Sequence, residues 1–164
     1  MKIENAIVDF IKVCELANIQ FNRTDIEDKF LYAGREHVLL HPNLPKGYMA
    51  VYIFTDTTGD HCYKVGKVGP KSNARFQSQH YSPKRSKSNL ANSFKNDEEF
   101  KDNEGLQNNT SEWIKHNTNR VNLLLKAEKG IATLNLLEAF MQSRLRPKYE
   151  GFESQKDLKA RRIN

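Results

Sequence analysis

The sequence has few cysteines and no long apolar run. Cys14 and Cys62 are the two cysteines among 164 residues, and they form no CxxC pattern, so no disulfide framework is indicated. No segment approaches the roughly 18 consecutive apolar residues of a membrane helix. Glu4 and Asp9 interrupt any secretory signal core at the start. These absences predict a cytoplasmic protein with reduced thiols and no membrane partner.

The composition is that of one globular domain. Hydrophobic residues make up 38% of the chain and charged residues 28%, with a mean hydropathy of −0.74. A chain of this length buries a substantial core, and its apolar fraction is too high for a disordered protein.

Acidic residues are missing from one internal stretch. The net charge is +6, and residues 61–96 contain eight basic side chains and no acidic one. Such a local excess favours a polyanionic partner, most often nucleic acid. The alternative is a basic surface that contacts only solvent. The side chains that we expect to contact phosphates are Lys64, Lys71, Lys84, Arg85 and Lys87.

The apolar pattern predicts a small α/β domain. Helical spacing is present in residues 3–17 and 131–145. Residues 48–54 and 61–68 are rich in aromatic and β-branched side chains around a turn, which indicates a β-hairpin. The short apolar run at 121–125 suits a central strand. We therefore predict an antiparallel sheet of at least three strands flanked by helices.

The chain divides into three predicted parts. Residues 1–46 are expected to form an N-terminal helical extension packed on the core, with a second short helix starting near Thr24. The core spans residues 47–152. It is interrupted at about 82–111 by a segment rich in Ser, Asn, Lys and Asp, which predicts an exposed insertion. Residues 153–164 form a basic tail.

One carboxylate lies within the apolar side of the last predicted helix. At about 100° per residue, Glu138 projects among the apolar side chains of that helix. A carboxylate in apolar surroundings must be protonated, paired with a cation or bound to a metal. Glu138 is therefore either half of a structural ion pair or a metal ligand. The apolar side is formed by Ile131, Leu134, Leu137, Met141 and Leu145.

The order and spacing of several motifs resemble the GIY-YIG nuclease family over residues 47–152. Ala50-Val51-Tyr52 is similar to the first motif of the family, with alanine in place of glycine. Lys64-Val65-Gly66 is similar to the second motif and is followed by Lys67.

The second half of the resemblance lies downstream. Arg75 matches the family arginine, and Glu138 matches its metal-binding glutamate. In excision-repair members that glutamate precedes a Pro-Arg-Tyr-Asn ending, and Pro147-Lys148-Tyr149-Glu150 stands here at the same distances.

The sequence departs from the family at three further positions that bear on the site. Lys64 replaces the second family tyrosine. Strand alternation places the neighbouring Tyr63 on the side of Val65, so Tyr63 is not a simple substitute. Gln79 stands where members often carry His or Tyr, with His80 one residue later, and Glu150 replaces the final asparagine.

The resemblance implies metal-dependent hydrolysis of phosphodiester bonds. Glu138 would hold Mg²⁺ or Mn²⁺, and Arg75 would clamp the phosphate through its forked donors. Tyr52 would help to activate the water, with Lys67 lowering the pKa of its hydroxyl. His80 would share the proton.

Other interpretations stay open. Tyr52 is also a candidate core aromatic, and Lys67 and Arg75 are candidates for phosphate or solvent contact without catalysis. The leading prediction is a metal-dependent endonuclease acting on DNA. The runner-up is a nucleic-acid-binding module that has lost catalysis on the same scaffold. An unrelated basic interaction domain would leave the position of Glu138 unexplained.

Overall fold

The structure is a computed structural model. It describes residues 2–39, 43–83 and 90–149, without the side chains of Lys2, Ala74 and Arg75. The predictions for Lys84, Arg85, Lys87, Glu150, the tail 153–164 and the side chain of Arg75 lie outside this part.

The core of the fold is a four-stranded antiparallel sheet with the strand order β1-β4-β2-β3. This arrangement confirms the predicted antiparallel sheet. The strands are β1 (Ile26–Leu31), β2 (Tyr48–Thr55), β3 (Cys62–Val68) and β4 (Asn119–Lys126).

Helices cover both faces of the sheet. In the described ranges they are α1 (Lys2–Leu16), α2 (Glu36–Leu39), α3 (Asn73–Gln77), α4 (Leu90–Lys95), α5 (Glu104–Asn108), α6 (Thr110–Asn117) and α7 (Gly130–Leu145). Short 3-10 turns lie at Arg23–Asp25, Glu98–Phe100 and Ala127–Lys129. None of these helices has the length and apolarity that crossing a membrane requires.

The two long helices pack on the first face of the sheet, the side to which Met49, Val51 and Ile53 of β2 point. Phe10 of α1 and Leu137 of α7 are fully buried there. Burying each such side chain contributes roughly 1.5–3 kcal/mol.

The shorter helices pack on the second face, the side to which Ala50, Tyr52 and Phe54 of β2 point. Phe94 of α4 and Ile114 of α6 are fully buried against them. Because both faces are covered, β2 is apolar at almost every position instead of alternating between apolar and polar.

The N-terminal segment contributes a strand as well as a helix. The prediction of a second helix near Thr24 is wrong, because Asn22 and Asp25 cap a single 3-10 turn and the chain then becomes extended. The resulting β1 pairs with β4, with Ile26 opposite Leu125. The predicted N-terminal extension therefore contributes residues 26–31 to the sheet and does not only pack on it.

The prediction that residues 82–111 are an exposed insertion is wrong for α4 and for Leu106 of α5, whereas most of residues 96–105 are exposed. Leu90, Ala91 and Phe94 of α4 and Leu106 of α5 are fully buried on the second face. These helices have only five or six residues, so the polar residues around them outweigh the apolar signal. The buried residues of these two helices are part of the core.

Tyr63 is on the other side of β3 from the one predicted. Phe54 pairs with Lys64 but Thr55 pairs with Cys62, which leaves Tyr63 as the extra residue of a β-bulge. The ring of Tyr63 lies 4.8 Å from that of Phe94 and belongs to the second face. The bulge overrides the alternation that the sequence predicts.

Gly66 provides the space that Tyr52 occupies. The two residues pair across β2 and β3, and a Cβ atom on Gly66 would overlap the hydroxyl end of the Tyr52 ring. Glycine is therefore required here for space, since the backbone of Gly66 does not adopt a positive φ.

We expect Gly66→Ala to lower the free energy of unfolding by roughly 1–3 kcal/mol, the cost of overpacking a core. Gly69→Ala is the control, because the nearest atom to its added Cβ is Ile131 Cδ1 at 3.9 Å. Urea denaturation of both variants measures the difference. Equal unfolding free energies in the two variants would contradict the packing argument.

Candidate active site

Lys67 and Glu138 meet on the first face of the sheet. Lys67 stands opposite Val51 on β3, and its Nζ donates a hydrogen bond to Oε2 of Glu138 on α7. The side chains are 37% and 18% exposed. The fold thus brings together, beside solvent, two residues that the family resemblance assigns to one site.

Glu138 projects from the buried side of α7, as the sequence predicted. Leu134, Leu137 and Met141 are buried around it. Ile131 is 51% exposed, so its predicted place on the apolar side is wrong. It lies in the first turn of the helix, next to Gly69 at the end of β3.

The surroundings of Glu138 fit a divalent ion only if water supplies most of its ligands. Among the described residues, Oε1 of Glu138 accepts no hydrogen bond. Within the same ranges, no three His, Cys, Asp or Glu side chains come together to hold a metal. Mg²⁺ commonly keeps several waters and uses one or two carboxylates. Glu138 would therefore be the single protein ligand among the described residues.

Tyr52 lies on the opposite face from Lys67. It is 0% exposed and pairs with Gly66, one residue before Lys67. Neighbouring strand residues face opposite sides, so the prediction that Lys67 lowers the pKa of Tyr52 is wrong. A different cation lies near the Tyr52 ring: the guanidinium carbon of Arg120 is 5.9 Å from its centre. Tyr52 is a core aromatic.

His80 lies next to Tyr52 on the second face and not next to Glu138. It is 2% exposed, and its ring centre lies 4.4 Å from that of Tyr52. Its backbone carbonyl accepts a hydrogen bond from Ala91 N at 3.0 Å. The predicted set of catalytic residues is therefore divided between the two faces.

The predicted phosphate contacts that the structure describes differ in exposure. Lys71 is exposed in the loop after β3. Lys64 is 9% exposed, because it pairs with Phe54 and points to the helix-covered second face. Lys64 thus lacks the surface position that a backbone phosphate contact needs.

A buried arginine that the sequence did not single out organises the second face. Arg120 is 0% exposed. Its Nε donates to Asn122 Oδ1 at 2.8 Å, its Nη2 to the Phe76 carbonyl at 2.7 Å and its Nη1 to Tyr81 Oη at 3.0 Å. These three acceptors are uncharged. The only signal in the sequence is an arginine directly before the apolar run of β4.

His37 extends this network to the backbone. Its Nδ1 lies 2.7 Å from the Thr118 carbonyl and its Nε2 lies 2.8 Å from Tyr81 Oη. A carbonyl only accepts, so Nδ1 carries the proton and Nε2 accepts from the Tyr81 hydroxyl, which accepts from Arg120. Burial lowers the pKa of His37 to about 4, and the charge of Arg120 acts in the same direction.

One segment of the chain binds to β3, the strand at the edge of the sheet. It is the segment that resembles the family's Pro-Arg-Tyr-Asn ending. The backbone N–H groups of Lys148 and Tyr149 donate to the Cys62 and Tyr63 carbonyls at 2.9 and 2.8 Å. Lys148 Nζ also lies 2.7 Å from Asp97 Oδ2, and the Tyr149 hydroxyl donates to the same carboxylate. This segment ties the chain around α4 to β3.

In comparisons with known proteins, no family model, no curated protein and no solved structure matches the chain. The resemblance to GIY-YIG nucleases therefore depends on the residues of this chain alone. The contact between Lys67 and Glu138 agrees with that resemblance, and the burial of Tyr52 and His80 does not.

The stability of the fold should fall as the pH is lowered from 6.5 toward 4. Unfolded His37 takes up a proton near pH 6.5 and folded His37 only near pH 4. Between these values the unfolded state binds more protons, so acid favours unfolding. The loss is about 3 kcal/mol when complete. Urea denaturation between pH 7 and pH 4 measures it.

His37→Gln should remove this component of the pH dependence, whereas His116→Gln, at an exposed histidine, should retain it. NMR titration of the wild-type histidines gives a second readout that needs no variant. A His37 resonance that titrates above pH 6 would contradict the assignment.

Proposed function

We propose that the chain is a metal-dependent endonuclease that hydrolyses phosphodiester bonds, with DNA as its substrate. Its centre is the pair formed by Lys67 and Glu138. The observation that carries the proposal is their contact across 71 positions of sequence, between a strand and a helix, beside solvent. We further propose a cytoplasmic location, because Cys14 and Cys62 form no disulfide within the described residues.

The two side chains suit the charge changes of phosphodiester hydrolysis. The phosphate is anionic, and attack by water places more negative charge on the leaving oxygen. The ammonium group of Lys67, which is 37% exposed, would exchange Glu138 for a phosphate oxygen. Glu138 would hold Mg²⁺ or Mn²⁺, and the ion would supply positive charge that offsets the negative charge developing during hydrolysis. Arg75, on α3 shortly after β3, is proposed as the phosphate clamp.

Water activation in this proposal does not use Tyr52 or His80. Both are buried on the second face, whereas Lys67 and Glu138 lie on the first. The mechanism therefore differs from the one that the resemblance implies, in which a tyrosine on the first motif helps to activate the water.

The second candidate is a nucleic-acid-binding module without catalysis. Two observations favour it: Lys67 already pairs with Glu138, and the predicted base, Tyr52, is buried. In that case the pair stabilises the packing of α7 on β3, and the basic segment supplies the affinity for DNA.

Glu138→Gln should lower cleavage roughly a hundredfold or more, since several kcal/mol of charge stabilisation would be lost. The measurement is nicking of supercoiled plasmid and cutting of single-stranded DNA with Mg²⁺, Mn²⁺ or EDTA. Glu128→Gln, at an exposed carboxylate just before α7, is the matched control and should cleave normally.

Two results would decide against the endonuclease. Full activity in Glu138→Gln would remove the carboxylate from the chemistry. A wild-type protein that binds DNA but cuts nothing with either metal would establish the binding module instead.

Tyr52→Phe should cleave DNA within about a factor of three of the wild-type rate, which corresponds to less than 1 kcal/mol. The substitution removes a hydroxyl group from a side chain that lies on the second face and is 0% exposed. Single-turnover cleavage rates at several pH values provide the test. Loss of most of the rate in a variant of unchanged stability would show that Tyr52 does reach the scissile phosphate.

A further inference from the structure

A polar cavity lies on the second face of the sheet, away from Lys67 and Glu138. Its volume is about 450 Å³, and it opens between the chain around Tyr81 and helices α4, α5 and α6. His37 and Tyr81, two of its lining residues, are 1% and 8% exposed. The volume falls in the range of small-molecule sites, roughly 300–1,000 Å³, and exceeds what a single ion needs.

The charged groups that line the cavity are positive. Among the described residues that line it, none is acidic, and Lys95 and Lys115 are both half-buried. Lys115 pairs with Glu112 at 3.1 Å. Lys95 instead donates to the Gln107 carbonyl at 3.3 Å, and no described carboxylate pairs with it. A half-buried cation without a carboxylate partner favours an anionic ligand and disfavours a metal ion.

The buried network adds positive charge behind the cavity wall. Arg120 donates to Tyr81 Oη at 3.0 Å, and its other described acceptors are the uncharged Asn122 amide and a carbonyl. A buried charge without a counterion is screened less than a surface charge. Because His37 is neutral at pH 7 and bonds to the same hydroxyl, it holds the Tyr81 ring in place at this wall.

The remaining lining groups suit a nitrogenous ring. The side-chain amide of Asn108 offers a donor and an acceptor, and Gln77, whose Nε2 already donates to Asn43 Oδ1, offers its amide oxygen. Asparagine and glutamine amides pair with adenine through two hydrogen bonds. Ser78 and Ser111 add hydroxyl groups. Tyr81 supplies an aromatic wall. The cavity therefore combines features for a phosphate and for a base.

We propose that this cavity binds an adenine nucleotide, with its phosphate at Lys95 and its base against the amides and Tyr81. The nucleotide is either a free monophosphate or the phosphorylated end of a nucleic acid strand. The proposal is separate from the proposed endonuclease, since Lys67 and Glu138 lie on the other face of the sheet.

Titration with adenosine monophosphate (AMP) tests the proposal. Trp113 on α6, the single tryptophan of the chain, reports binding by fluorescence, and calorimetry confirms it. We expect AMP to bind at least about tenfold more tightly than adenosine or inorganic phosphate, a difference of about 1.4 kcal/mol. No binding at 10 mM AMP, or equal binding of adenosine, would overturn the proposal.

Variants locate the site. Lys95→Met should weaken AMP binding about tenfold or more, whereas Lys101→Met, at an exposed lysine paired with Glu98, should not. Ser111→Ala provides a second, milder change at the cavity if Lys95→Met does not fold. Glu138→Gln should bind AMP normally, so that failure of the nuclease proposal and failure of this one are distinguishable. Unchanged AMP affinity in both cavity variants would contradict the assignment.

Competition identifies the source of the ligand. Oligonucleotides that start with adenosine, with and without a 5′-phosphate, are added to the AMP complex. Stronger displacement by the phosphorylated strand supports recognition of a strand end, and displacement by neither strand supports a free nucleotide. Equal displacement by both strands would show that the terminal phosphate is not recognised and would overturn the proposal.

Discussion

The alternation of side chains along the β2–β3 hairpin determines on which face of the sheet Tyr52 and Lys67 lie. Val51 and Lys67 pair on the first face, and Tyr52 and Gly66 pair on the second. A shift of one residue in the strand register would move each side chain to the opposite face of the sheet. Lys67 would then leave Glu138, and Tyr52 would leave its buried position on the second face. The space above Gly66 fixes this register, since no other residue type leaves room for the ring of Tyr52.

Much of the first face could be predicted from the sequence. The hairpin and α7 have apolar patterns long enough to identify, and Glu138 stands out as a charge within one of them. Its partner could not be selected among 26 basic residues, because the choice depends on how α7 crosses β3. β1 was missed because it is an edge strand with a mixed burial pattern, and pairing with β4 rather than propensity makes it extended.

The second face was harder to predict for a physical reason. Its helices are one or two turns long, so periodicity carries little information there. Its central residue, Arg120, is a charge buried among neutral acceptors and aromatic rings, and sequence patterns place arginine at the surface. The network that links Arg120, Tyr81 and His37 comes from three separate segments of chain, with Thr118 two residues before Arg120, and its His37 and Tyr81 line the cavity.

Glu138 is the central residue of the proposed site, as the proposed ligand of a divalent ion in competition with Lys67. Electron paramagnetic resonance of Mn²⁺ titrated into the protein without DNA measures this directly. We expect one ion to bind the wild type, weaker or no binding in Glu138→Gln, and tighter binding in Lys67→Met, because the competing ammonium group is removed. Equal Mn²⁺ affinity in the wild type and Glu138→Gln would contradict the account and leave the pair as a structural link between α7 and β3.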